Sequence, residues 1–251
     1  MIRIFMLLLG VVSLAHGQPQ EAVLAYNSGD YGTAAALTEG SDRADDLAFS
    51  ARSVLAGAMS TPSGNPAADD LSHAEMLARR AIELDESHIE GRLQLAISMS
   101  LQARPMSNRQ AMRVGLGQKA KDIAKAILVD DPNDAYANAL LAVWNMEILR
   151  RGGRIGARIM GASVRAARAH YETAAAAAPD DGALHWQWAR VLAATNAKKY
   201  RVEIEAALAA SLAARTDDAL ERVMQSRAKR LQEVLEDGDL GAVKALAAAL
   251  L

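Results

Sequence analysis

The sequence predicts an all-α fold, a solenoid of stacked helical hairpins, on three observations. A spacing recurs: Ala120, Ala124, Ile127 and Pro132 fall at relative positions 0, 4, 7 and 12, and Ala167, Tyr171, Ala174 and Pro179 repeat it. Ala74, Ala78 and Ala81 begin it a third time, with Glu86 where the proline would stand, giving steps of 46 and 47 residues. A fixed period of this size marks a stacked-helix array. The apolar fraction is 51%, much of it alanine, and aromatics are only 4%; small side chains suit close helix pairs and give a sheet little to bury. No β-branched alternating run of useful length appears.

Residues 1–17 have the pattern of an export signal. Arg3 supplies the positive start, Met6 to Ala15 an apolar stretch, and Ser13-Leu14-Ala15 or Ala15-His16-Gly17 the small-x-small cleavage pattern. The apolar stretch, Ile4 to Ala15, is shorter than the roughly 20 residues a spanning helix needs. Cleavage near residues 15–17, a periplasmic address and a mature chain with no transmembrane segment are the expectations. The chain has no cysteine, which excludes disulfides and a lipid-modified cysteine anchor.

A weaker helical unit covers Ala22 to Leu37. Each recurrent signature then sits in the second helix of a pair, because offsets 0, 4 and 7 share one helical face. Proline ends that helix. The acids of Asp130-Asp131-Pro132-Asn133-Asp134 and Pro179-Asp180-Asp181 favour the next start, by capping and by the macrodipole. First helices follow at Ile89 to Gln102, Ala135 to Arg150 and Gly182 to Ala194. A further pair is expected at about 199–214 and 217–236. The last helix, Leu240 to Leu251, has Lys244 as its only charge, so it should fold back on the array or meet a partner. The expected layout is signal 1–17, array 18–216 and capping helices 217–251.

These residues resemble tetratricopeptide repeats. Ala96, Ala142 and Ala189 match the small position of that family's first helix, after Leu95, Leu141 and Trp188 at the large one. Ala120 and Ala167 match the small position opening the second helix, and Gly29-Asp30-Tyr31-x-x-Ala34 matches the turn and second-helix start. The likeness covers roughly residues 20 to 216. It implies a right-handed superhelix that binds partners on its concave face. The family repeats every 34 residues; here about a dozen more lie between first and second helix in two units, and a HEAT-like solenoid of similar period stays open.

Charge is polarised along the chain. Residues 18–90 hold 13 acids and 4 bases, whereas residues 91–171 hold 5 acids and 13 bases. The two inserts, 104–117 and 151–163, contain no acid. Their equivalent place in the repeats predicts a shared basic ridge of Arg104, Arg109, Arg113, Arg151, Arg154, Arg158 and Arg165. Arginine forks there suit carboxylate or phosphate; the alternative is that they solvate long loops, balance helix ends or pair with the acidic N-terminal third.

A second candidate surface follows from the resemblance. First-helix positions 2, 5, 9 and 12 would line the concave face, placing Tyr136, Val143, Met146, Trp186 and Arg190 against a partner, with Glu90 in the preceding unit. Trp and Tyr bring large contact area at low entropic cost, although Tyr136 and Trp186 also fit a core, and Trp144 and Trp188 fit it better.

Enzymatic motifs are missing from the sequence. His73, His88, His170 and His185 form no metal-ligand pair. The glycines of the second insert make no phosphate loop, and Gly161-Ala162-Ser163-Val164 is no nucleophile elbow. An enzyme would need a buried carboxylate, for which Glu147 is the candidate. The basic stretches lack aromatic platforms before Tyr171, which argues against nucleic acid. The reading is an exported, non-enzymatic protein-binding scaffold without cofactor or metal, its partner an acidic one where the basic ridge engages it; the alternative is a periplasmic solute-binding protein serving a transporter.

Overall fold

The computed structural model describes residues 17–61 and 66–250. The expected signal lies outside these residues except for Gly17. Thirteen helices and no strand are found among the described residues.

The order is α1 (Gln20–Ser28), α2 (Tyr31–Ala36), α3 (Ala44–Met59), α4 (Ala68–Leu84), α5 (Ile89–Gln102), α6 (Asn108–Val114) and α7 (Leu116–Asp130). Then come α8 (Ala135–Met160), α9 (Val164–Ala177), α10 (Gly182–Asn196), α11 (Arg201–Ala213), α12 (Ala219–Glu236) and α13 (Leu240–Ala249). Contacts are largely local: α3 packs on α4, α4 on α5, α5 on α7, α7 on α8, α8 on α9 and α10 on α11. First helices also touch one another, α3 on α5 and α8 on α10. The exception is the C-terminal end, where α12 and α13 both return to α10.

The recurrent signature is the buried seam of α4, α7 and α9. Ala74, Ala78, Ala81, Ala120, Ala124, Ile127, Ala167 and Ala174 are each 0% exposed. Tyr171 occupies the one wide position, stacked on Trp188 with ring centroids 4.7 Å apart. A methyl group is all that fits where two helix backbones approach, so the repeated alanines record geometry. Replacing Ala142 or Ala167 with leucine should overpack its helix pair and lower stability by about 1–3 kcal/mol. Urea denaturation measures it; an unmoved midpoint in both variants contradicts the seam.

Aspartates start the helices that follow the turns. Asp134 accepts from the Ala137 amide at 2.7 Å and Asp181 from the Leu184 amide at 2.8 Å. Asp30 accepts from Thr33 at 3.1 Å, just after Gly29 ends α1 with φ 93°. Each carboxylate satisfies a backbone donor that the first helical turn leaves unpaired.

Two features differ from the sequence reading. α3 was not foreseen, although Leu47, Phe49 and Leu55 are no more than 1% exposed; the proline after it, Pro62, is out of register with the 46- and 47-residue steps. The inserts are helical where connector turns were expected. Ser107 and Gln110 form a capping box that starts α6. The second insert continues α8 past a break at Gly153, whose φ of 58° and ψ of −161° lie in a region essentially reserved for glycine.

Candidate functional site

The inserts lie side by side. The Asn108 Nδ2 donates to the Arg151 carbonyl at 2.9 Å, and Arg151 Nε returns to Asn108 Oδ1 at 3.3 Å. Arg151 also donates through Nη1 to the Ala103 carbonyl at 3.1 Å, and through Nη2 to that of Met106. It is therefore the clamp between the inserts and not a free ridge cation. Lys121 closes the second insert: its Nζ donates to the Met160 carbonyl at 3.1 Å and sits 4.3 Å from the Trp144 ring centroid.

Arg104 is likewise withdrawn from the expected ridge. It donates through Nη2 to the carbonyls of Ala248 and Leu250, each at 2.9 Å, at the end of α13. Burial and then the neighbouring Arg190 push its pKa down to about 9, which leaves it charged at neutral pH. The other five, Arg109, Arg113, Arg154, Arg158 and Arg165, are exposed. None of the five has an ion-pair or side-chain hydrogen-bond partner among the described residues. Between them stand Met112, Val114, Ile155 and Ile159, which are 72%, 46%, 77% and 71% exposed. The second insert is held on its other side, where Ala157 packs with Trp144 and Ala162.

The predicted groove residues divide into two groups. Met146 and Trp186 are 0% exposed and Arg190 is 3% exposed, so these three do not line an open groove. The reason is α13: Met146 and Trp186 share one core cluster with Val243, Ala247 and Leu250. Residues 243, 247 and 250 have the 0, 4, 7 spacing of a single helical face. The last helix thus folds back onto α10. Val143 is half-buried at the edge of the same cluster. Trp144 and Trp188, which fitted the core better, are 7% and 3% exposed.

Beneath this helix lies an ionic centre. Arg150 donates to Glu147 Oε2 through Nε at 2.9 Å and Nη2 at 2.6 Å, and Arg190 Nη1 stands 3.6 Å from Oε1. Burial alone would raise the Glu147 pKa, but Arg190, Arg150 and Arg104 outweigh it and hold the carboxyl below its ordinary range. Arg190 also donates to the Ala247 carbonyl at 3.5 Å. Arg104 and Arg190 therefore meet the negative end of α13, where unpaired carbonyls favour cations.

Tyr136 belongs to the second group. It is 42% exposed at the start of α8. Burial of the hydroxyl end, then Asp181 and Glu90, pushes its pKa up. Glu90 is paired with Arg52 at 3.6 Å, and the Arg52 guanidinium lies 5.1 Å from the Tyr26 ring centroid and 5.0 Å from that of Phe49. Burial pushes the Tyr26 hydroxyl up as well, with Asp218 and Glu90 adding to it. Arg52, Glu90, Tyr136 and the cap residues Asp181 and Asp218 thus lie around the buried Tyr26, three carboxylates to one cation.

No family model and no curated protein matches this chain. Its site must be read from its own residues.

The histidines are committed locally. His185 Nε2 donates to the Pro179 carbonyl at 2.9 Å, so its Nδ1 accepts from the Tyr171 hydroxyl at 2.8 Å. His88 Nδ1 accepts from the Gly91 amide at 3.0 Å, and its Nε2 meets Asp45 at 3.0 Å. His170 Nδ1 contacts Asn138 Oδ1 at 2.8 Å, and His73 lies 3.3 Å from Glu39.

Sequence reasoning missed Arg52, because α3 itself was missed. It also passed over the exposed apolar side chains of the inserts. Their signal was present in Arg154-Ile155 and Arg158-Ile159, a cation and a bulky apolar residue repeated at one-turn spacing.

Proposed function

We propose that this chain is an exported, non-enzymatic adaptor of the bacterial cell envelope, a tetratricopeptide-like solenoid that binds a protein segment on its concave face. Local packing of successive helices and the buried alanine seam support the repeat reading. The observation that carries the binding reading is Tyr136: a large aromatic ring left open beside Glu90, Arg52 and Asp181. The half of the face towards Trp186 is filled by α13, so the available half is the polar one. Three carboxylates against Arg52 favour a segment that brings basic side chains, and the exposed part of the Tyr136 ring offers an anchor of the kind that dominates such interfaces.

A photocrosslinking side chain at position 136, in cells of a bacterial host that supplies the partner, tests this. A discrete adduct is expected at 136 and not at Val202, which is 78% exposed on α11. Glu90→Lys combined with Tyr136→Ala should weaken capture by on the order of 30-fold or more. Equal capture at both positions, or no effect of the substitutions, refutes the reading.

The solute-binding alternative has one observation in its favour. A cleft of about 620 Å³, lined by Leu71, Leu101, Gln102, Arg104, Met106 and Ala248 among others, opens between α4, α5 and the end of α13. That volume is in the range of small-ligand sites, with Arg104 as its cation. A low-molecular-weight acid that raises the melting temperature of the wild type but not of Arg104→Gln would favour it.

A further inference from the structure

The insert pair combines two properties that a solvated surface seldom holds together. Five exposed arginines, four in the inserts and Arg165 just after the second, lack an anionic partner among the described residues, and no acid occurs in residues 91–121 or 148–171 to supply one. Four bulky apolar side chains stand among them, three more than 70% exposed. In the second insert the two kinds alternate in register: Arg154 and Arg158 form one row, Ile155 and Ile159 the next. The Gly153 break turns this segment out of the line of α8, and Ala157 fixes it to Trp144 from the other side. In the first insert α6 has no buried residue and presents Arg109, Met112 and Arg113 in the same fashion. The Arg151 clamp joins the two segments into one surface.

We propose that this surface docks the protein on an anionic lipid bilayer. Phosphates at the headgroup level supply the missing counter-charge, and the long arginine stems let cations stay there while apolar neighbours reach the acyl boundary. A bilayer requires charge and shallow apolar depth and no matching shape. An acidic protein would satisfy the arginines but would need an enclosing apolar pocket for Ile155 and Ile159. The inference is independent of the segment-binding face around Tyr136, which lies at the start of α8 and not at its end.

The chain has no cysteine, so a single introduced thiol can be labelled alone. Ile159→Cys in the full chain, carrying an environment-sensitive dye, is mixed with vesicles of about equal parts phosphatidylglycerol and phosphatidylcholine. The expected result is a blue shift that is absent with phosphatidylcholine alone. It should also fade when salt reaches on the order of 1 M, where the screening length is about 3 Å. Leu84→Cys, at the opposite end of α4 from the α5 terminus that leads into the inserts, should show no shift. Arg154, Arg158 and Arg165 replaced together by glutamine should weaken the partition about 100-fold, with the circular dichroism spectrum kept. No shift at position 159, an equal shift with neutral vesicles, or a shift only with polyglutamate would each overturn the proposal, the last assigning the surface to an acidic polypeptide. Because the readout is local to residue 159, membrane contact elsewhere in the chain does not imitate it.

Discussion

Replacing Glu147 with alanine is expected to lower the stability of the fold by about 3–5 kcal/mol. The carboxylate is the counter-ion of a buried basic centre, with Arg150 bonded to it twice, Arg190 at 3.6 Å and Arg104 close enough to depress its pKa. Arg190 is 3% exposed, so it cannot turn to solvent when its partner is removed. The loss is mainly that of stranding a buried cation; an intact buried ion pair contributes far less than it costs to break. Glutamine at 147 keeps hydrogen-bonding atoms but not the charge, and should lie between wild type and alanine. The sign of the pH effect follows from the depressed pKa. The contribution of Glu147 is complete above its unfolded value, about 4.3, and is lost as pH falls through the lower folded value. Urea denaturation at neutral pH and near pH 3 measures both: the wild type should lose more than E147Q on acidification. A neutral-pH loss below about 1 kcal/mol for the alanine variant would show that the arginines are satisfied without it.

That centre illustrates what the sequence can and cannot display. Helix periodicity is a local property, so the alanine seam, the aspartate caps and the bounds of α5 were legible from residue types and spacing. Position 190 was placed on an open face by the family resemblance, yet whether any face is open depends on where residues 240–250 go, and Arg190 is buried. Chain return is non-local, and no spacing encodes it. The apolar character of α13 did signal that it must be covered, but not that its carbonyl end would take Arg104 and Arg190 out of the exposed set. The inserts show the converse case. Their lack of acids and their shared position were visible in the sequence, while the division of labour within them was not: the Arg151 side chain donates to two carbonyls and an amide oxygen, whereas Arg154 and Arg158, three and seven residues later, meet no partner among the described residues.

The second large effect is expected at Trp186. Its side chain is 0% exposed within the cluster that joins α8, α10 and α13, and truncation to alanine leaves a cavity that the surrounding helices fill only in part. A loss of about 3–5 kcal/mol follows. An indole lining an open groove would instead be replaced at about 0.5 kcal/mol or less, so the measurement separates a filled face from an empty one. The helix that fills it gives a further check. If α13 is held by this cluster, Trp186→Ala and Val243→Ala act on the same packing, and their effects should fail to add by about 0.5 kcal/mol or more. The weakened contact should also make the chain around Gly238, which joins α12 to α13, a preferred protease site before the rest of the fold opens. Additive losses together with unchanged proteolysis would mean that α13 is anchored by its arginine-bound carbonyl end alone, and that its apolar face contributes little to closing the array.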